Sequence, residues 1–110
     1  MSWWLLLSLA ALAAGRAGIP VLPKTHTVEI RGMEFQPPVL TVAVGDTVVW
    51  INRDIVPHTA TAAGRLRWDT GMLAQHATGA YVAGRPGTAT YICTLHPTMR
   101  GTLIIVKESS

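Results

Sequence analysis

The chain has 110 residues, 49% of them hydrophobic and only 14% charged, with a formal net charge of +3 and a single cysteine. That length suits one domain with a modest core, and one cysteine excludes a disulfide framework, four-thiolate iron–sulfur clusters, c-type haem attachment and most structural zinc sites. The positive charge is small and scattered over Arg53, Arg65, Arg67, Arg85 and Arg100, which excludes a nucleic-acid footprint and leaves at most a weak preference for acidic partners.

The chain opens with Trp3 to Ala14, a run of about a dozen mostly apolar residues, too short to cross a bilayer and of signal-peptide length. Residues 1–17 are therefore expected to be a leader, cut after Ala13 or Ala17, with 18–110 as the mature domain. No Lys or Arg precedes the apolar run, so a retained, membrane-associated leader stays open as an alternative. Once the leader is cleaved no stable membrane span is expected, and the expected location is the periplasm or another exported compartment. An unpaired thiol is a hazard in such an oxidising place unless something coordinates it.

Downstream there is no helical periodicity of useful length. Short β-branched runs bounded by Gly, Pro, Asn and Asp recur instead, which predicts an all-β fold. Expected strands are Thr25–Arg31, Leu40–Val44, Thr47–Asn52, Thr59–Ala62, Tyr81–Ala83, Thr88–Cys93 and Thr102–Lys107. Gly45-Asp46 reads as a tight hairpin turn between the second and third, and Arg85-Pro86-Gly87 as another turn. About seven or eight such strands predict a two-sheet Greek-key β-sandwich with its loops gathered at the ends. Alternation places Ala89, Tyr91 and Cys93 on the inward face of their strand.

The segment Cys93-Thr94-Leu95-His96-Pro97-Thr98-Met99 sets a thiolate, an imidazole and a thioether at three-residue steps. Soft sulfur with imidazole suits copper, and two His, one Cys and a weak axial Met make an electron-transfer site. The fourth ligand is expected from Pro57-His58-Thr59, in a loop just after the apolar run Thr47 to Ile51. A short loop fixes His96 and Met99 against Cys93 at little entropic cost, with Pro57 and Pro97 stiffening the two ligand loops. Alone, a free Cys is ordinarily a small buried hydrophobe and a Met core filler. Their joint occurrence at this spacing favours one copper ion, Cu(I)/Cu(II), per chain. His26 and His76 read as ordinary packing or surface residues, Trp50 as core and Trp68 as structural.

These motifs resemble the small blue copper proteins, or cupredoxins, and among them amicyanin more than plastocyanin, azurin or pseudoazurin. The resemblance runs from about Thr25 to Val106. It includes the C-x-x-H-P-x-M-x-G loop at Cys93 to Gly101, V-G-D-T-V-x-W-I-N-R at Val44 to Arg53, Val56-Pro57-His58, Pro86-Gly87-Thr88, and Trp68-Asp69-Thr70-Gly71, which is similar to an F-D-S-G stretch. The short gap between Cys93 and His96 is the amicyanin-like feature.

The resemblance implies a small type 1 copper protein that shuttles single electrons and is not an enzyme. It implies copper bound by Nδ1 of His58 and His96, the Cys93 thiolate and, weakly and axially, Met99. Electrons would pass through His96. Met33, Met72, Leu95 and Pro97, with Pro57, would form an apolar docking patch for transient contact with a redox protein donor and acceptor. A monomer is expected, with no nucleic acid and no small-molecule substrate. One position departs from the family: Thr59 stands where an Asn ties the ligand loops together. Its hydroxyl is expected to bond Thr94, and its N–H to donate to the Cys93 sulfur. The rival readings are a copper carrier or chaperone, and a copper oxidase or nitrite-reducing enzyme, which would need a second, open copper centre built from His26 and His76.

Overall fold

The computed structural model describes residues 21–108. The leader and its candidate cleavage points, Ala13 and Ala17, lie outside the described residues. Nine strands follow in order: β1 Thr25–Arg31, β2 Glu34–Gln36, β3 Val39–Ala43, β4 Thr47–Asn52, β5 Thr61–Ala63, β6 Arg67–Asp69, β7 Thr78–Val82, β8 Gly87–Ile92 and β9 Arg100–Val106. They form an all-β sandwich of a four-stranded sheet, β2-β1-β4-β7, and a five-stranded sheet, β3-β9-β8-β5-β6. Both sheets are mixed, with parallel pairs β1/β4 and β3/β9. Among the described residues no helix is long and apolar enough to cross a membrane.

Alternation builds the core. Val28 and Ile30 of β1, Val48 and Trp50 of β4, Ala89 and Tyr91 of β8, and Leu103 and Ile105 of β9 all point inward and are buried. Trp50 and Trp68 stack with ring centroids 5.6 Å apart, Trp68 stacks on Tyr81 at 4.5 Å, and Tyr91 meets Trp50 edge-on at 5.3 Å and Phe35 at 4.7 Å. Both Trp residues therefore have packing roles, as expected. Pairs at such distances and angles add favourable quadrupole terms to simple burial.

Several expectations on strands need correction. Nine strands exceed the expected seven or eight, because β2 and β6 are three-residue strands, each with one buried aromatic between exposed polar neighbours, too short for alternation to register. β7 begins three residues before the expected Tyr81, at Thr78, across Gly79 and Ala80. β5 begins at Thr61, not Thr59, because the Thr59 and Ala60 N–H groups go to side chains of neighbouring loops. Gly45-Asp46 is a turn, with an Ala43 carbonyl accepting from Asp46 N–H at 3.0 Å and Gly45 at φ 96. It is not a hairpin, because β3 and β4 belong to different sheets and the turn carries the chain across the sandwich.

Asp46 locks the end of the sandwich where β1 and β4 start. Its buried carboxylate accepts from Lys24 N–H at 2.9 Å and Ala43 N–H at 3.0 Å, and meets His26 Nε2 at 2.9 Å. These two N–H donors first, then the His26 ring, hold its pKa down from 3.8 to about 2. His26 thus lies at this end, opposite the loop that follows β4.

Candidate metal centre

Two loops at the other end meet, one joining β4 to β5 and one joining β8 to β9. In the second, the Met99 carbonyl accepts from Cys93 N–H at 3.3 Å, the Cys93 carbonyl from His96 N–H at 3.2 Å and the His96 carbonyl from Met99 N–H at 2.9 Å. Two successive turns, closed by the bond between Cys93 and Met99, therefore fold Cys93, His96 and Met99 against one another. Cys93 and Met99 are buried, and His96 keeps partial access to solvent. In the first loop, His58 and Leu73 exchange backbone hydrogen bonds at 3.2 and 2.7 Å in an isolated bridge, which fixes the backbone at His58. Its ring is fully buried.

The side chains converge. Cys93 Sγ lies 3.6 Å from His58 Nδ1 and 3.8 Å from His96 Nδ1, and the donor atoms of the three residues lie within 4.8 Å of one another. Bonds of transition-metal length, about 2.0 Å to nitrogen and 2.3 Å to sulfur, set roughly 110–120° apart, separate such donors by about 3.5–3.7 Å. The donor spacing therefore fits a single ion. Two imidazoles and one thiolate, with a buried thioether on the same loop, make a donor set whose softness suits copper.

Thr59 N–H points at Cys93 Sγ, 3.3 Å away. Thr59 Oγ1 accepts from Thr94 N–H at 2.9 Å and lies 3.1 Å from Thr94 Oγ1 and 2.9 Å from Thr61 Oγ1. The short hydroxyl thus reaches across both ligand loops. Among the described residues, these three donors form the one cluster of His, Cys, Asp or Glu with metal-binding spacing. His26 sits in the Asp46 lock instead, and His76 is exposed with φ 69 and joins neither site.

Two features escaped sequence reading. Asp54 Oδ2 lies 2.9 Å from His58 Nε2, on the ring edge away from Cys93. Burial pushes the Asp54 carboxyl upward, but the N–H groups of Met33 and Gly32 and the His58 ring outweigh it and hold it below its ordinary value. Asn52, fully buried, donates from Nδ2 to the carbonyls of Val56 and Leu73 and accepts from Asp54 N–H, all at 2.9 Å. The only available signals were an Asp four residues before His58 and an Asn ending an apolar strand, and both types are ordinary in loops. Met33, Met72, Leu95, Pro57 and Pro97 are exposed, as are Ile55 and Val56, which were not among the residues expected in the apolar patch.

Residues 24–106 match the family model of copper binding proteins of the plastocyanin/azurin family. The chain belongs to that family, whose cofactor is copper. Within it the chain is an amicyanin-like cupredoxin. It is 37% identical over 82 residues to amicyanin of Paracoccus denitrificans, covering 71% of this chain and 63% of that protein. It is 35% identical over 102 residues to amicyanin-alpha of Methylorubrum extorquens, covering 87% of this chain and 86% of that protein. A solved oxidised amicyanin variant superposes with a TM-score of 0.70 at 35% identity, covering 74% of this chain and 82% of the other. A copper-containing nitrite reductase from Thermus scotoductus gives a TM-score of 0.71 at 28% identity, covering 86% of this chain but 25% of that one.

Proposed function

We propose that the protein is a small, exported blue copper electron carrier that takes one electron from a redox protein and passes it to another. The observation that carries this reading is the donor set of buried His58 and Cys93 with half-exposed His96, spaced for one ion and enclosed by a loop that ends in the buried Met99. His58 and His96 would hold copper through Nδ1, Cys93 through its thiolate and Met99 weakly through sulfur. When bound, copper supplies a one-electron Cu(II)/Cu(I) couple.

The chain supplies the rest. The backbone bonds of the 93–99 loop and the His58–Leu73 bridge hold the donors in place, so little has to move when the charge changes. Burial of His58, Cys93 and Met99 excludes water from the donors. The Thr59 N–H on the sulfur is the kind of contact that tunes a copper potential. The half-exposed His96 offers the way in and out, and the apolar rim of Met33, Met72, Leu95 and Pro97, extended by Ile55 and Val56, suits small, transient redox contacts by a monomer. Neither a small-molecule substrate nor a nucleic acid has a role in this reading.

The nitrite reductase likeness covers 25% of that larger chain and is a likeness of fold to one portion of it. Copper enzyme chemistry on a substrate needs an open centre, whereas His26 is bound to Asp46 and His76 lies on the surface. In the test, copper-loaded protein should accept one electron per copper and pass it to a second redox protein with no small substrate present. Rapid loss of copper to a mild chelator would favour a carrier or chaperone instead, and consumption of nitrite or a phenol would favour an enzyme.

A further inference from the structure

We infer that Asp54 is a positioning residue that fixes the His58 ring and the Gly32–Met33 surface turn with one carboxylate, coupling a surface turn beside the metal centre to a metal-facing imidazole. Three bonds carry this. Asp54 Oδ1 accepts from Gly32 N–H at 2.8 Å, and Oδ2 accepts from Met33 N–H at 2.9 Å while lying 2.9 Å from His58 Nε2. An ionised carboxylate only accepts, so the ring proton of neutral His58 sits on Nε2. That leaves Nδ1, the atom 3.6 Å from Cys93 Sγ, with its lone pair free before any metal arrives. One carboxylate oxygen thus serves both the ring and the turn.

The turn itself needs the help. Arg31 pairs with Glu34 across it, and Gly32 and Met33 have φ of 61° and 62°. This two-residue hairpin has both central residues left-handed, a conformation Gly accepts and Met does not favour. Asp54 meets both N–H groups at its tip and displays the Met33 side chain outward, 42% exposed. The carboxylate is itself held, because Asp54 N–H donates to the buried Asn52. A displacement of the turn therefore draws on the same oxygen that orients His58. A partner pressing on Met33 would be felt at the imidazole, with no contact between the two residues required.

The part of this inference that concerns copper rests on the electron-carrier reading; the part that concerns the ring and the turn does not. The experiment uses the full chain, apo and copper-loaded, with Asp54→Asn, Asp54→Glu and Met33→Pro. In the apo protein, ring 15N shifts should show His58 as a single Nε2–H tautomer. In Asp54→Asn the amide oxygen can face either Gly32 or the Met33–His58 side while the amide nitrogen donates at the other, so the two orientations hold opposite His58 tautomers. The variant should give mixed His58 tautomers, faster exchange of the Gly32 and Met33 amides, and copper affinity lower by about ten- to a hundredfold. Asp54→Glu, still acceptor-only, should restore the single tautomer. Met33→Pro removes the N–H and cannot adopt the turn's φ, so it should shift the His58 ring signals from outside the metal centre. Unchanged tautomer and affinity in Asp54→Asn would reduce Asp54 to a turn brace. Unmoved His58 signals in Met33→Pro would refute the coupling. If the unaltered protein bound no copper, the electron-carrier reading would fall while the apo measurements still decided the role of Asp54.

Discussion

Gly101→Ala tests how the ligand loop is anchored to the core. Gly101 is buried in β9, opposite Tyr91 in β8, and the Tyr91 ring lies over its Cα. A Cβ at position 101 would fall 2.7 Å from Tyr91 Cε1 and closer still to Cζ and Oη. The ring has nowhere to go, because Phe35, Trp50 and Trp68 surround it at 4.7, 5.3 and 5.6 Å between centroids. Replacing Gly by Ala in a strand favours folding by about 0.5–1 kcal/mol through backbone entropy. Overpacking a filled core costs about 1–3 kcal/mol, and this clash is with a rigid ring, so it falls at the upper end. The clash wins, and the net loss should be about 2 kcal/mol. For a domain of this size that lowers Tm by about 8–16 °C. Urea unfolding of the apo protein measures it, with Tyr91→Ala as the second arm of a double-mutant cycle. Without the ring, Gly101→Ala should become neutral or mildly stabilising. A loss below about 0.5 kcal/mol, or the same loss in both backgrounds, would refute the argument, since contacting residues couple by about 0.5–3 kcal/mol.

Three further outcomes are expected. Asp46→Asn should destabilise the protein at neutral pH, and the gap to the unaltered protein should close as pH falls from 3.8 through about 2, because a carboxyl with a depressed folded-state pKa stabilises only while ionised; a gap constant with pH in urea unfolding would count against this. Thr59→Ala removes the hydroxyl that meets Thr94 and Thr61, so unfolding should show a loss of about 1 kcal/mol, with faster exchange at the Thr94 amide; unchanged exchange would mean that the loops are held by other bonds. Met99→Leu should leave copper bound and raise the reduction potential, since loss of a weak axial thioether disfavours Cu(II) more than Cu(I); an unchanged potential by voltammetry would make Met99 a core residue only.

How much of this was legible depended on whether a signal was local. β1 and β4 followed directly from alternation and matched Thr25–Arg31 and Thr47–Asn52 to the residue. β2 and β6 did not, because one aromatic between polar residues has no period. The Gly45-Asp46 turn was visible, yet its partners were not: turn chemistry reports a change of direction, and pairing with β9, β1 and β7 is decided by the packing of two sheets. The same division holds at the metal centre. Cys93, His96 and Met99 share a spacing, and His58 has a Pro before it, so all could be named from sequence. Asp54 has no such mark, since its three partners lie in a different hairpin and four residues along the same loop. Thr59 was legible in its identity and its bonding options, and the structure supplied the geometry that lets a short hydroxyl reach both loops.

The central claim is that His58, Cys93, His96 and Met99 hold one copper ion as a blue electron-transfer centre. Its most direct test is the visible spectrum of the oxidised, copper-reconstituted protein beside that of Cys93→Ser. A short thiolate bond to Cu(II) gives strong charge transfer, so the unaltered protein should be intensely blue, bleach reversibly on reduction, and lose its colour entirely in the Ser variant. A pale protein of equal copper content, or full colour without the Cys93 thiolate, would contradict the account.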